Sequence, residues 1–555
     1  MEGAIAEAVA ETCGKMRPIM ERYEADRHSL ERKYTLVLST VRRDRMQRFF
    51  AGWRKALETL DFEALAHDDR IDYLLFHNHL RHQLRRLEIE AGRAAETAPL
   101  LPFQTVLRGL EEQRLRMEWI LPEEAANLLD GAEKQIQQVL AELQADPEAK
   151  SKWKPTVANR AADTVETLRN TLKRWNKFYN GYDPLFTWWV AEPYRAVDTA
   201  LEEYAAFLRD HLIGGEKGAI VGDPLGREAL MAELAFEMIP YTPEELIAIG
   251  EKEFAWCEAE IQKAAAELGL PDHHAALEHI KSQHRPPGEQ PEMIRAMAVE
   301  AIEFLQARDL VTVPPLAAET WRMEMMTPEA QLVNPFFLGG ELIQVSFPTH
   351  TMTHAQKQMS LRGNNPHFAR ATVQHELIPG HHLQMFMMAR YRSYRRVVGT
   401  SFWIEGWALY WEMRLWDLGF PLTPENRLGM LFWRSHRAAR IVFSLKFHLE
   451  QMTAAECITM LIERVGHEPA NAEAEVRRSF KGDYGPLYQA AYMLGGLQMK
   501  ALHRELVEQG SLTDRAFHDA ILRENSLPIE MLRAALTKQE LTRGFVSTWR
   551  FYPED

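Results

Sequence analysis

Three cysteines in 555 residues, Cys13, Cys257 and Cys457, are too few and too scattered for a disulfide framework, and none forms a C-x-x-C pair that would hold zinc through thiolates. Long apolar runs are missing as well: no stretch reaches the roughly 18 residues needed to span a bilayer. The first residues, MEGAIAEAVAETCGKM, carry acids where a secretory signal would carry basic side chains. No long block of Lys and Arg stands out and the formal net charge is -14, which argues against a nucleic-acid partner. These absences predict a protein without disulfides, membrane span or nucleic-acid interface, and a reducing cytoplasm as its compartment.

Strand signals are nearly as scarce. Hydrophobic residues make up 46% of the chain, enough for a sizeable core, and they recur at spacings of three and four in YLLFHNHLRHQLRRLEIEAGR, AEKQIQQVLAELQA and TVETLRNTLKRWNKFY. The predicted fold class is mainly α. The glycine-bearing segment IGGEKGAIVGDPLGREAL, Ile213 to Leu230, is the expected seam between an N-terminal helical part, 1–215, and a catalytic part, 216–555, within one continuous structural unit. Thr242, Pro243 and Glu245 mark a helix start with N-cap, first-turn proline and capping-box acid. Only ELIQVSFP, Glu341 to Pro348, alternates as a strand should. A small sheet there, beside the site described next, would let an extended peptide add itself as another strand.

The stretch VQHELIPGHHLQ, Val373 to Gln384, carries the chemistry. A zinc-hydrolase helix reads H-E-x-x-H, with two histidines four residues apart sharing one ion. Here Pro379 stands four places after His375. In an unbroken helix His381 would lie roughly 9 Å along the axis from His375, too far to share an ion. Pro379 lacks the N–H that would bond to the His375 carbonyl, and Gly380 permits backbone angles that other residues resist. HELI-PG-HH is therefore H-E-x-x-H with a two-residue bulge, in which His381 is the displaced ligand and His382 its competitor. In FWIEGWALYWEMRLWDLG, Glu405 and Glu412 lie seven residues apart in apolar surroundings where a lone carboxylate is costly to bury. Glu405 is assigned to the metal and Glu412 to orienting a histidine. Three protein ligands leave one position for water, from which Glu376 would take a proton as general base. The expected ion is one Zn2+ per chain, although the same donors suit Mn2+ or Co2+.

Other groups have plainer readings. His77, His79 and His82 do not share a helix face, and His350, His354 and His367 read as surface histidines. Arg477 and Arg478 suit a peptide carboxylate, but a solvated helix face is the simpler account.

HELIPGHHLQ followed by EGWALYWE resembles the domain of unknown function 885 family, whose members look like gluzincin zinc metallopeptidases related to the neurolysin-like helical peptidases. PLGREALMAEL, TPEELIAIGEKE, PLYQAAYMLGGLQMKAL and FHDAILRENSLPIEMLR resemble further landmarks of that family in order. The resemblance implies a helical body around a deep channel with the metal at its floor, His375, His381 and Glu405 as ligands, and Glu376 as catalytic acid/base. Ser444 stands where the family pattern leads one to expect Asp, which leaves neighbouring His448 without an assigned role. Tyr484, Tyr488 and Tyr492 recur every four residues. Tyr492, then Tyr488, is the candidate to stabilise an oxyanion, against the simpler reading of an aromatic core stripe.

The expected function is hydrolysis of short peptides or peptide-like amides. The alternatives are a metal-dependent hydrolase of a non-peptide amide or modified amino acid, and a helical binding protein whose site is structural only.

Overall fold

The periodic segments fold as their spacing dictates. In the computed structural model, which describes residues 14–214, 220–331, 336–480 and 484–553, they lie within the helices His67–Thr97, Pro122–Ala145 and Pro155–Tyr179. The fold is mainly α-helical with one two-stranded sheet. The chain divides into two compact units, one gathering Met1–Met20, Asp61–Asn78 and Pro224–Asp555, the other Glu21–Leu60 and His79–Asp223. A single cut at 215/216 does not describe this interleaving. The expected seam contains the boundary between Asp223 and Pro224, while its residues 215–219 lie outside the described ones.

The second unit is a helical array whose core includes Leu129, Ile136, Val165, Leu172, Trp175 and Tyr204. His79 belongs to this unit's interior, where its ring meets the Tyr23 hydroxyl at 2.8 Å.

The first unit carries the motifs. Its helix Pro243–Glu267 opens with the expected capping box, Thr242 and Glu245 bonding each other's backbone N–H. The elements around the site are α1 (Gln290–Ala307), β1 (Arg322–Met325), β2 (Leu342–Val345), α2 (Pro366–Glu376), α3 (His381–Met388), α4 (Ser401–Asp417), α5 (Pro424–His448), α6 (Pro469–Phe480) and α7 (Tyr488–His503). The strand is shorter than the alternation suggested and pairs in parallel with β1, Leu342 opposite Arg322. Its inward residues Ile343 and Val345 pack with Ile294 and Ala298 of α1 and Ala369 and Val373 of α2. This small core seats the first half of the motif on the sheet.

Two glycine contacts fix the deeper layer. A Cβ on Gly406 of α4 would collide with the backbone of Gly495 on α7, and the reverse holds. The two helices therefore cross backbone to backbone, which brings the FWIEGWALYWE and YMLGGLQ segments together. Gly429 of α5 packs equally close on the His367 carbonyl at the start of α2.

Cys257 and Cys457 are buried and free, while Cys13 lies outside the described residues. Among the described residues no helix is long and apolar enough to cross a membrane.

Candidate metal centre

The motif helix breaks where the proline predicts. α2 ends at Glu376 and α3 begins at His381, with a cis peptide between Ile378 and Pro379. The Gly380 N–H reaches back to the Gln374 carbonyl at 3.0 Å, and the Pro379 carbonyl accepts from the Trp407 indole at 2.8 Å. Gly380 has φ -77° and ψ -133°, and its surroundings add a second demand for glycine. Space decides: a Cβ there would strike the carbonyls of Gln374 and His375.

The bulge brings His375 and His381 together, their rings nearly perpendicular with centroids 4.8 Å apart. His375, Glu376 and His381 each offer a ligand atom, and these atoms lie within 4.8 Å of one another. This cluster has the spacing and donor set to hold a metal ion. Glu405 joins it from α4, its Oε2 3.6 Å from His375 Nε2 and 3.3 Å from His381 Nε2. His382 points elsewhere. Its Nδ1 lies 3.2 Å from the Glu341 carbonyl and its Nε2 3.0 Å from that of Ala317, so its ring faces backbone and not the cluster.

Behind the histidines, Glu412 Oε1 lies 2.7 Å from His375 Nδ1. That contact turns His375 Nε2 toward the cluster. Gln384 Oε1 approaches His381 Nδ1 at 3.4 Å. Tyr488 donates to Glu405 Oε1 at 2.6 Å, and Tyr492 donates to Tyr488 at 3.1 Å while its ring stacks on His375. Tyr484 precedes α7 and stacks on Tyr488.

Burial and charge act oppositely on the carboxyls. Burial raises Glu376, with the flanking imidazoles only partly opposing it. Burial also pushes Glu405 up, but His381 and His375 beside it prevail and hold it well below its usual range. Burial pulls His375 down, while Glu405 and Glu412 draw it up further, to about 9. Burial raises the Tyr488 and Tyr492 phenols, keeping them protonated donors.

These groups line a cavity of about 440 Å³. Glu341, Met385 and Ile404 are common walls with a neighbouring cavity of about 780 Å³. Leu342 and Gln344 of β2 also face the site, but the Gln344 backbone is bonded in both directions to Leu338, so the chain itself occupies the strand edge there.

Sequence reasoning missed three features. Gly339 packs so closely on Glu376 that a Cβ would collide with its carboxylate. Arg437 and Arg440 of α5 line the cavity, buried to 5% and 2% exposure. Arg478, expected on a solvated face, lines it too, whereas Arg477 pairs outside with Glu473. The remaining histidines stay out of the cavity: His350 and His354 are exposed, and His367 bonds Asn426 and Gln283. Ser444 bonds the Arg440 carbonyl within its own helix, and His448 meets the Leu225 N–H, so both serve packing.

The family of bacterial proteins of unknown function DUF885 matches residues 23–536. No curated protein matches the chain. Two solved structures share its fold. One, from Shewanella oneidensis and described as a lipoprotein of unknown function, is 16% identical with a TM-score of 0.69, over 95% of this chain and 100% of its own. The other, described as a lipoprotein from Colwellia psychrerythraea, is 15% identical with a TM-score of 0.56, over 90% and 91%. Their description overturns the expectation of a cytoplasmic location. A lipid anchor needs neither a disulfide nor a spanning helix, so those two absences do not bear on it.

Proposed function

The chain belongs to the DUF885 family, and from that premise and the site's geometry we propose that it is a metal-dependent hydrolase of the gluzincin type, cleaving amide bonds in short peptides or peptide-like molecules. One observation carries the reading. Glu405 Oε2 is buried with no hydrogen-bond partner, between two imidazole nitrogens that also converge on the same space. Such an oxygen is costly to bury unless a cation accepts it.

Two carboxylates compete for the third ligand place. We assign it to Glu405, which its surroundings hold ionised, and leave Glu376, which burial raises, as the proton carrier. His375 and His381 complete the set, and zinc suits its nitrogen and oxygen donors, as do manganese and cobalt. Once bound, the ion would acidify a water and polarise the substrate carbonyl.

The chain's own groups do the rest. Glu376 takes the proton from the attacking water and returns it to the leaving amine. Glu412 fixes the tautomer of His375, and Tyr488 fixes the second oxygen of Glu405. Tyr492 is the candidate for the oxyanion: its bond to Tyr488 is the longer of the two phenol bonds, and an oxyanion is the stronger acceptor. A channel reaching this cavity is part of the reading, because it would admit short chains and exclude folded ones. The setting proposed is extracytoplasmic, as the description of the two solved relatives implies for them.

The test is metal analysis of the purified protein, expected to give about one ion per chain, followed by di- and tripeptide hydrolysis. A metal-loaded protein that cuts no peptide while cutting a non-peptide amide would replace peptides with that second substrate class. Absence of bound metal together with an inert His375→Ala substitution would end the reading altogether.

A further inference from the structure

We infer that Arg437, Arg440 and Arg478 form a binding site for the free α-carboxylate of the substrate, which makes the protein an exopeptidase that reads the carboxyl end. The inference rests on the hydrolase reading for its substrate and on independent features of the cavity for its chemistry.

The first feature is charge. Arg437 and Arg440 project from α5 and Arg478 from α6 into the wall of the same cavity. Glu475 is the carboxylate among them, held by Arg440 through Nε and Nη2 at 2.7 Å each and 3.9 Å from Arg478. Glu412 lies 3.7 Å from Arg437 but is already committed to His375. The nearest of these carboxylates stays 3.7 Å from Arg437 and 3.9 Å from Arg478, beyond hydrogen-bond distance, while both side chains line the cavity. An anion from the substrate would supply the partner that these buried cations lack.

The second feature is unspent hydrogen-bonding capacity. Arg437 Nε, Arg440 Nη1 and Arg478 Nε are buried without partners, where native interiors pair such groups. The guanidinium fork matches a carboxylate bidentately. The third is rigidity. Arg437 and Arg440 lie over the Tyr492 ring, 4.8 and 4.5 Å from its centre, Arg437 also over Trp433, and Arg478 over Tyr484. Since Tyr492 also stacks on His375, a single ring separates the arginines from the metal centre. A carboxylate held on the arginines therefore leaves its own chain end, rather than a distant internal bond, beside Glu376.

The test uses zinc-loaded Glu376→Gln protein, which would bind without cutting, and mixtures of di- and tripeptides carrying either a free carboxylate or a C-terminal amide. Calorimetry should show the free acids binding about 10- to 100-fold more tightly, the worth of a charged hydrogen-bonded pair. Acetylating the amino end should change little. Arg478→Gln, at the most exposed of the three positions, should shrink the preference, and Arg478→Lys should restore part of it. Equal affinity for acids and amides, or no binding of either, overturns the inference. The two readings fail separately. Wild-type cleavage of amides as fast as acids removes the carboxylate site and leaves the hydrolase, whereas discrimination by the Gln variant without any wild-type hydrolysis does the reverse.

Discussion

The two walls of the cavity are built by opposite means. The histidine wall is a helix that stops: α2 and α3 are separated by residues 377–380, which include Pro379 and Gly380, and the break lets His375 and His381 meet. The arginine wall is a helix that does not stop. Arg437 and Arg440 sit three residues apart on the unbroken α5, one turn of regular backbone delivering both. A broken helix writes its purpose into the sequence, because proline and glycine are needed to make it. An unbroken one leaves no such mark.

The sharpest way to separate the walls is Glu376→Gln. On the proposed roles it should lower hydrolysis by about 10²- to 10⁴-fold, the usual contribution of a general base, while metal content and peptide affinity stay as they were. Loss of the ion in that variant would transfer Glu376 to the ligand set. Next in size is the pair of neighbouring histidines. His381→Ala should strip the ion under dialysis, whereas His382→Ala, which removes a buried ring facing the Ala317 and Glu341 carbonyls, should keep it at a stability loss of about 1–3 kcal/mol. Equal metal loss in both would mean that the bulge does not select between them. Glu412→Gln should weaken metal binding about 10- to 100-fold, read by competition with a chelator. The smallest effect belongs to the ground behind both walls: Gly495→Val should push α4 from α7 and lower stability by about 1–3 kcal/mol, visible as a lower Tm.

The difference between the walls also explains what could be read in advance. The helical class, the Thr242 helix start and the break at Pro379 follow from local rules of spacing and capping, and Glu405 and Glu412 from the cost of burying carboxylates among apolar residues. The choice between His381 and His382 did not. It depends on carbonyls of Glu341 and Ala317 supplied by distant segments. Arg478 looked solvated because the bend that lays Tyr484 under its guanidinium is not written in the helical spacing. The signal in α5 was present but faint: arginines in a helix whose neighbours, Ala438, Ala439, Ile441 and Val442, are apolar on every side. Glycine at 406 and 495 carries no local signal, since close approach between two helices is invisible until both are placed.

That glycine crossing has a consequence for how the protein is made. His375 and His381 leave the ribosome more than a hundred residues before Tyr488 and Tyr492. Until α7 has been synthesised and has closed on α4, Glu405 lacks the phenol that holds it and His375 lacks its stacking partner. The nascent chain therefore carries both histidines and Glu405 before the two phenols that complete their surroundings exist.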